Sequence, residues 1–247
     1  EIVYLLCKKE IPFYCEKPFL LKKQSLEIYE DLKFRKTLKK SCIGFNLRYH
    51  PGLQALKDII KKHKCKDLSF EINVCSDVTT WRQNRPIEEL YSLDDSRGGG
   101  ALSELSHELD YATFIFGELE VEYVSSISDP WLGRVDGSSK ILLKSDRNIH
   151  GCISVNIVSP ILNRFISISA KDLYLNLNLV SGKLTGEIYK EIINEEFIFD
   201  RNESLKQSLF NFIKFNKGQT NIEPVNQVYK CTLSSKVINE AYNRIAL

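Results

Sequence analysis

Residues 98–111 read GGGALSELSHELDY, three glycines followed by the residue spacing of an amphipathic helix. At 100° per residue, one stripe of that helix carries only apolar side chains, namely Leu102, Leu105, Leu109, Ala112 and Phe116. Ser103, His107 and Asp110 fall on the opposite side. Phe114 lies on that polar side too, which indicates that it is partly covered. The stretch therefore predicts a helix that faces a core and turns its polar side toward a partly closed site.

The glycines that precede this helix allow two interpretations. They let a backbone come close to a ligand, and free N–H groups at a helix start suit an anionic or hydroxylated ligand. Alternatively, they form a flexible loop, and His107 is a structural histidine with satisfied partners. Spacing alone favours the structural interpretation, so the rest of the chain has to decide between them.

Toward the N-terminus, segments with helical spacing alternate with short apolar segments. The helical segments are EIVYLLCKKE (1–10) and KQSLEIYEDLKFRKTLKK (23–40), and the strand-like ones are IPFYCEKP (11–18) and SCIGFNLRY (41–49). This alternation is typical of α/β crossover units in a parallel sheet. No G-x-G-x-x-G dinucleotide fingerprint occurs in the 247 residues.

After residue 50 the pattern changes to an α+β one. A helix (PGLQALKDIIKKHK, 51–64) and a strand (DLSFEINVC, 67–75) lead into a long polar stretch at 76–97. Beyond the glycine helix, short strands separated by turn residues predict a mainly antiparallel sheet of six or seven strands. These runs are ELEVEYVSSIS, SKILLKS, IHGCISVNIVS, RFISISA, LYLNLNLV, LTGEIYK and EFIFD. Two helices are predicted to close the chain, ESLKQSLFNFIKF and PVNQVYKCTLSSKVINEAYNRIAL.

Composition narrows the class of protein. The 247 residues are 43% hydrophobic and 27% charged, which is typical of a soluble globular protein, and no apolar run approaches the roughly 18 residues that span a bilayer. A net charge of +2 argues against a nucleic-acid partner, so the basic run KKHKCK (61–66) is interpreted as a solvated helix end.

The cysteines indicate a reducing compartment. Seven are scattered along the chain with no C-x-x-C pair, so neither a metal site nor a redox motif is predicted. Together with the absence of a recognisable leader, they favour reduced thiols in the cytoplasm.

Three motifs in order carry a family resemblance: FYCEKPF (13–19), GFNLRYHP (44–51) and WRQNRPIEELYSLDDSRGGGALSELSHELDYATFIFGE (81–118). Together they resemble the glucose-fructose oxidoreductase and inositol dehydrogenase family of NAD(P)-dependent oxidoreductases. The resemblance implies a cofactor, NAD or NADP, and a sugar or nucleotide-sugar substrate. The LSHE-DY variant is most similar to members that act in surface-glycan biosynthesis.

The resemblance also implies a domain plan. Residues 1–49 would be the end of a Rossmann dinucleotide-binding domain, and residues 50–247 a substrate-binding domain whose open sheet forms homo-oligomers. The cofactor fingerprint, within about 100 further residues of the Rossmann domain, would lie outside this chain. The alternative is a truncated, non-catalytic relative that acts only as a dimerisation or assembly domain.

Catalytic roles are carried over from the same resemblance. Lys17 matches the lysine that contacts the reacting hydroxyl and the cofactor, and His107 matches the general acid/base. The family aspartate four residues before the histidine is Ser103 here. Glu104 is a plausible substitute for it, and Asp110 is an alternative acid that could orient the imidazole. If His107 is the base, activity should depend on one group that titrates near neutrality.

Further residues are expected to line the site. Glu16, Lys17, Pro18 and Arg82 are expected to contact the cofactor. Substrate-binding residues are expected in the long loop, where Trp81 offers a stacking face, and at the domain junction. Besides Asp110, this substrate set is Arg48, Tyr49, Trp81 and Tyr91.

Overall fold

The computed structural model describes residues 2–19, 28, 30–31, 33–63, 67–82, 85–128 and 135–245. The helices in these ranges are α1 (Ile2–Lys8), α2 (Arg35–Lys40), α3 (Pro51–His63), α4 (Ala101–Glu104), α5 (His107–Phe116), α6 (Arg201–Asn216) and α7 (Thr232–Asn243). The first five strands are β1 (Tyr14–Cys15), β2 (Cys42–Ile43), β3 (Leu68–Asp77), β4 (Glu120–Ser128) and β5 (Asp136–Ser145). The others are β6 (Ile149–Asn156), β7 (Val158–Ala170), β8 (Leu173–Asn178), β9 (Lys183–Ile188) and β10 (Glu191–Glu196).

A small parallel sheet forms near the N-terminus. Strands β1 and β2 pair with Tyr14 opposite Cys42 and Cys15 opposite Ile43. Both strands are shorter than predicted, because the chain turns at the Lys17–Pro18 peptide and because residues 46–49 form a 3-10 helix. Of the helix predicted at 23–40, only α2 is α-helical, because residues 30–31 and 33–34 form turns or irregular structure; residues 23–27, 29 and 32 lie outside the described residues.

The large sheet has eight strands in the order β10-β9-β8-β7-β3-β6-β5-β4. Only the central pair β3–β6 is parallel, so the predicted mainly antiparallel sheet is confirmed, with one or two strands more than expected.

Two strand predictions were wrong in detail. IHGCISVNIVS is not one strand, because the Asn156 side chain accepts a hydrogen bond from the N–H of Val158 and the chain bends at Ile157 between β6 and β7. EFIFD is not a strand. The edge strand is instead β10, a more polar segment. A tight turn with positive φ at Tyr189 and Lys190 lets β10 pair antiparallel with β9.

Alternation along the strands gives the large sheet two different faces. In β3, Phe70, Ile72 and Val74 are buried, whereas the intervening Ser69 and Glu71 are exposed. Helices α4, α5 and α7 contact the sheet, and the buried strand residues pack with them into one apolar cluster. The opposite face remains open in this chain. It carries exposed apolar side chains at Tyr123, Leu142, Tyr174 and Ile192, with exposed fractions between 43% and 83%.

The glycine-led helix is largely buried. Every residue of the predicted apolar stripe is buried, as expected. The helix is interrupted at residues 105–106, which divides it into α4 and α5. On its polar side, Asp110 and Tyr111 are each 0% exposed, whereas His107 and Phe114 are partly exposed. The polar groups on this side therefore need partners inside the protein.

The last predicted helix begins later than expected. Residues 225–228 turn against strand β2, with Val228 donating to the Ser41 carbonyl, and α7 starts only at Thr232. None of the helices in the described ranges has the length and apolarity that crossing a membrane requires.

Candidate active site

Lys17 and the glycine-led helix meet at one point. The Lys17 ammonium group, just after β1, donates a hydrogen bond of 2.5 Å to the backbone carbonyl of Glu104 at the end of α4. Burial lowers the pKa of Lys17 below its usual 10.5, although the nearby carboxylates of Glu104 and Glu108 act in the opposite direction. The structure thus places the ammonium of the EKP motif against Glu104 of the glycine-led helix, 87 positions away in the chain.

His107 is the first residue of α5 and lies beside this lysine. Its ring is partly exposed and contacts the Phe45 ring edge-on, with centroids 5.9 Å apart. Its Nδ1 atom is buried and has no hydrogen-bond partner among the described residues. Burial, followed by the positive charges of Lys17, Arg164 and Arg201, lowers the pKa of His107 well below 6.5. The imidazole is therefore neutral at pH 7 and able to accept a proton.

Part of the long loop reaches the same cluster. The Arg82 guanidinium lies 4.4 Å from the centroid of the Tyr91 ring. Burial raises the pKa of Tyr91, and the adjacent Glu104 carboxylate raises it further, while Arg82 lowers it. Arg82, Tyr91 and Glu104 are consequently neighbours at the end of α4, next to Lys17. The loop itself is a chain of short 3-10 turns at residues 78–80, 87–89, 91–93 and 95–97.

Trp81 lies on the surface next to this loop. Its indole N–H donates to Ser76 Oγ at 3.1 Å, and the residue is 36% exposed. Among the contacts of the described residues, none joins Trp81 to Lys17 or His107. Its proposed stacking on a sugar stays a prediction.

Glu16 and Pro18 flank Lys17 in the chain. Glu16 is exposed, and its carboxylate lies 3.1 Å from the position that a side chain at Gly44 would take. The glycine therefore leaves space for Glu16 beside β2. Contact of either residue with a cofactor stays a prediction.

Arg48 and Asp110 form a buried ion pair instead of an open binding surface. Their side chains are 3% and 0% exposed, and two Arg48 nitrogens donate to the Asp110 carboxylate at distances between 2.8 and 3.1 Å. The same guanidinium also donates to the Val225 carbonyl and to Ser234 Oγ, each at 2.9 Å. This geometry connects α5 to the C-terminal segment and favours a structural role for both residues.

Tyr49 is likewise occupied by the protein. Its hydroxyl donates to Asn226 Oδ1 at 3.0 Å, and burial raises the pKa of Tyr49 to about 12. Asn226 in turn donates to the Ile43 carbonyl of β2, so this network fixes the junction between the small sheet and the C-terminal segment.

The glycines before α4 serve contacts within the protein. A side chain at Gly99 would lie 2.6 Å from two backbone carbonyl oxygens of residues 91 and 92, and Gly100 adopts φ +106°. The Asp136 carboxylate occupies the helix start, accepting from the Leu102 N–H at 3.0 Å and from Ser139 Oγ at 2.6 Å. Of the two interpretations of these glycines, the structure favours the structural one, because a buried carboxylate of β5 already accepts from the helix start.

Sequence reasoning missed a second buried ion pair at the site. Arg164 of β7 forms a two-pronged contact with Glu108, with Nε and Nη2 at 2.7 and 3.0 Å from the two carboxylate oxygens. Glu108 is 0% exposed and directly follows His107. The sequence signal for this pair was a single arginine at an inward-facing position of a strand. Such an arginine indicates a buried acidic partner, because an unpaired cation does not remain buried.

Comparisons with known proteins show the fold. No protein-family model matches the chain, and no curated protein does either. Among solved structures, levoglucosan dehydrogenase in complex with NADH and levoglucosan superposes with a TM-score of 0.76 at 16% identity, covering 98% of this chain and 74% of that one. Aldose-aldose oxidoreductase from Caulobacter crescentus gives 0.77 at 13% identity, over 98% of this chain and 72% of that one. An inositol dehydrogenase homologue from Azotobacter vinelandii, complexed with NAD+, superposes with a TM-score of 0.76 at 12% identity. This similarity covers 100% of this chain and 74% of that one.

These similarities confirm the predicted fold class, a small parallel sheet followed by a larger, mainly antiparallel sheet covered by helices. At such low identities they show the shared fold, and the chemistry has to be argued from this chain's own residues.

Proposed function

We propose that this chain belongs to an NAD(P)-dependent oxidoreductase that transfers a hydride between the nicotinamide and a hydroxyl or carbonyl carbon of a sugar or nucleotide sugar. The observation that carries the proposal is the convergence of the Lys17 ammonium group and the unpartnered Nδ1 of His107 beside Glu104. Two of the structures that share the fold were solved with NAD+ or NADH, one of them with a sugar substrate.

Each of these residues has a defined part in the chemistry. A buried ammonium stabilises negative charge that develops on the substrate oxygen. A neutral imidazole accepts the hydroxyl proton in the oxidation direction and returns it in reduction. Glu104 and Tyr91 border the same space, where they can hold neighbouring hydroxyl groups of a sugar.

The residues present fit one end of the cofactor. A partly buried ammonium group and an unpartnered imidazole nitrogen suit the nicotinamide end, with Glu16, Pro18 and Arg82 around it. The glycine fingerprint that would hold the pyrophosphate is not among the 247 residues. When bound, the cofactor supplies the carbon that accepts or donates the hydride.

A nucleotide-sugar substrate, as used in surface-glycan biosynthesis, is the finer part of the proposal. The planar fork of Arg82 suits phosphate or hydroxyl recognition, and the exposed ring of Trp81 offers a face for a pyranose.

Homo-oligomerisation through the open face of the large sheet and a cytoplasmic location complete the proposal. Exposed apolar residues on that face support homo-oligomerisation. The six described cysteines, all of which are free thiols, support a cytoplasmic location.

Substitution of the two central residues tests the proposal in the complete reading frame that encodes this chain. We expect Lys17→Met and His107→Asn each to lower turnover of a sugar or nucleotide sugar with NAD or NADP by at least about 100-fold, because each removes proton transfer or charge stabilisation. Lys33→Met and His150→Asn, both at exposed positions, are the matched controls. Rates within about threefold of wild type in both site variants, at unchanged melting temperature, would contradict the assignment.

The pH dependence of kcat/KM gives a separate prediction. Because the pKa of His107 lies well below 6.5, the limb that rises with pH should have its midpoint in the acidic range and not near neutrality. The lowered pKa of Lys17 should bring the falling limb below 10.5. A rising limb centred at pH 7 or above would show that another group is the base.

A further inference from the structure

A cavity lies away from Lys17 and His107. It has a volume of about 1070 Å³ and is bordered by the C-terminal half of α3, the last residues of α5, the turn between β5 and β6, and the segment 225–230. This volume slightly exceeds the roughly 300–1,000 Å³ that is usual for small-molecule sites, so the cavity has room for a small organic ligand. Phe114 lines it two helical turns after His107, roughly 10 Å along α5.

The cavity wall is rich in positive charge. Five cationic side chains line it against two carboxylates, Asp67 and Asp146. Arg48 is neutralised by Asp110, and Lys230 pairs with Glu223 at 3.0 Å. The remaining cations are Lys57, Lys61 and Arg147, and none of them forms an ion pair with another residue in the described ranges.

Lys57 is the best-defined of these groups. Its ammonium nitrogen lies 3.5 Å from the centroid of the Phe114 ring, and the Arg48 guanidinium carbon lies 5.0 Å from the same ring. Burial lowers the pKa of Lys57 to about 8; the Arg48 charge adds to the decrease, the Asp58 carboxylate opposes it, and Lys61 and Lys230 add smaller decreases. Two cations are thus held on one phenyl ring, an arrangement that a bound anion would stabilise.

Arg147 lines the same cavity from the turn between β5 and β6. A side chain at Gly117 would lie 3.0 Å from its terminal nitrogen, so the absence of one leaves the guanidinium room at the end of α5. Ile60, Phe114 and Val225 form an apolar part of the wall.

We infer that this cavity binds an organic phosphate, with the phosphate among Lys57, Lys61 and Arg147 and an apolar body against Ile60 and Val225. Three cations approaching from α3 and from the β5–β6 turn suit a compact dianion, and the arginine fork suits phosphate oxygens. The inference is independent of the proposed oxidoreductase chemistry, because none of these residues belongs to the Lys17 and His107 cluster.

Calorimetric titration with phenyl phosphate tests it, with inorganic phosphate and phenol as separate probes. We expect saturable binding of phenyl phosphate that is tighter than that of either fragment and that weakens as salt increases. Lys57→Met should weaken binding at least fivefold, whereas Lys62→Met, a matched change at an exposed position of α3, should leave it unchanged. Absence of saturable binding, or equal affinity of Lys57→Met and wild type, would overturn the inference, as would phenol binding as tightly as phenyl phosphate.

A labelling experiment tests the same site without relying on a variant. With acetic anhydride at pH 8, Lys57 should be acetylated faster than Lys62, and saturating phenyl phosphate should slow the acetylation of Lys57 at least fivefold without affecting Lys62. Equal protection of both lysines, or of neither, would contradict binding in this cavity.

Discussion

The buried pair of Arg48 and Asp110 stabilises the fold at the level of single residues. Asp110→Asn leaves the Arg48 charge buried without its counter-charge, so we expect the free energy of unfolding to fall by about 3–5 kcal/mol, measured by urea denaturation. The matched change Glu203→Gln breaks an exposed pair with Lys206 on α6 and should leave stability nearly unchanged. Equal effects of the two changes would mean that the buried pair has no structural role.

His50 gives stability a defined pH dependence. Burial lowers the pKa of His50 to about 4, and its ring stacks on Phe199 with centroids 4.4 Å apart. In the unfolded chain the pKa of this imidazole is about 6.5. The stability that the neutral His50 ring contributes is therefore fully present above about pH 6.5 and is lost as the pH falls toward 4. From His50 alone, we expect the free energy of unfolding to be about 2 kcal/mol lower at pH 5 than at pH 7. The lowered pKa of His107 makes the free energy of unfolding decrease with falling pH in the same way.

Comparing variants at the two pH values isolates the effect. His50→Gln should reduce the difference between the free energies of unfolding at pH 7 and pH 5, whereas His150→Gln, at an exposed strand position, should leave the difference as in wild type. An undiminished difference in His50→Gln would show that other groups cause the acid sensitivity.

Residue roles were only partly readable from the sequence. Lys17 lies near Glu104 and His107, but neither Glu104 nor Asp110, the two acids predicted to orient the imidazole, forms a hydrogen bond with the buried Nδ1 of His107. The motifs did not show that Arg48 and Asp110 are partners of each other, or that Glu108 pairs with Arg164, because both pairings depend on tertiary distances between distant segments.

At the level of elements, the start of α4 depends on Gly100. A methyl group there would lie 2.0 Å from Asp136 Oδ1, at a φ of +106° that other residues rarely adopt. We expect Gly100→Ala to lower the free energy of unfolding by about 3 kcal/mol or more, since it combines backbone strain with loss of the Asp136 cap. Gly218→Ala, at φ +67° with open space around it, should cost only about 1 kcal/mol. Similar costs would exclude a capping role for Asp136.

The elements themselves were predicted best where apolar spacing is regular. The apolar stripe from Leu102 to Phe116 and the strand predicted at 67–75 were correct. The interruption at residues 105–106 and the polar strand β10 were missed, because a buried polar helix face and a charged edge strand do not follow the simple amphipathic pattern.

At the level of the whole molecule, substitutions on the open face of the large sheet can test the proposed homo-oligomer. We expect sedimentation velocity to show an oligomer, and Tyr174→Glu to shift it toward the monomer by placing a charge on the face. Ile222→Glu, also highly exposed but in a loop outside the sheet, should leave the sedimentation coefficient unchanged. A wild-type monomer at micromolar concentration would reject assembly through this face.

The fold class could be predicted because the order of strand-like and helical segments survives in the sequence. Strand order could not, since β3 inserts between β6 and β7, which follow it much later in the chain. The division at residue 49 stays a prediction, and the buried cluster includes residues on both sides of it, such as Phe45 and Leu53.

The position of β3 also determines when the protein can fold during synthesis. Leu68 pairs with Ile149 and Ser69 with Ser169, so the strand leaves the ribosome about 80–100 residues before its neighbours exist. At ordinary rates of translation this interval is roughly 5–20 s. During this interval the partner strands of Phe70, Ile72 and Val74 do not yet exist, so the nascent chain exposes an apolar strand until β7 has been made.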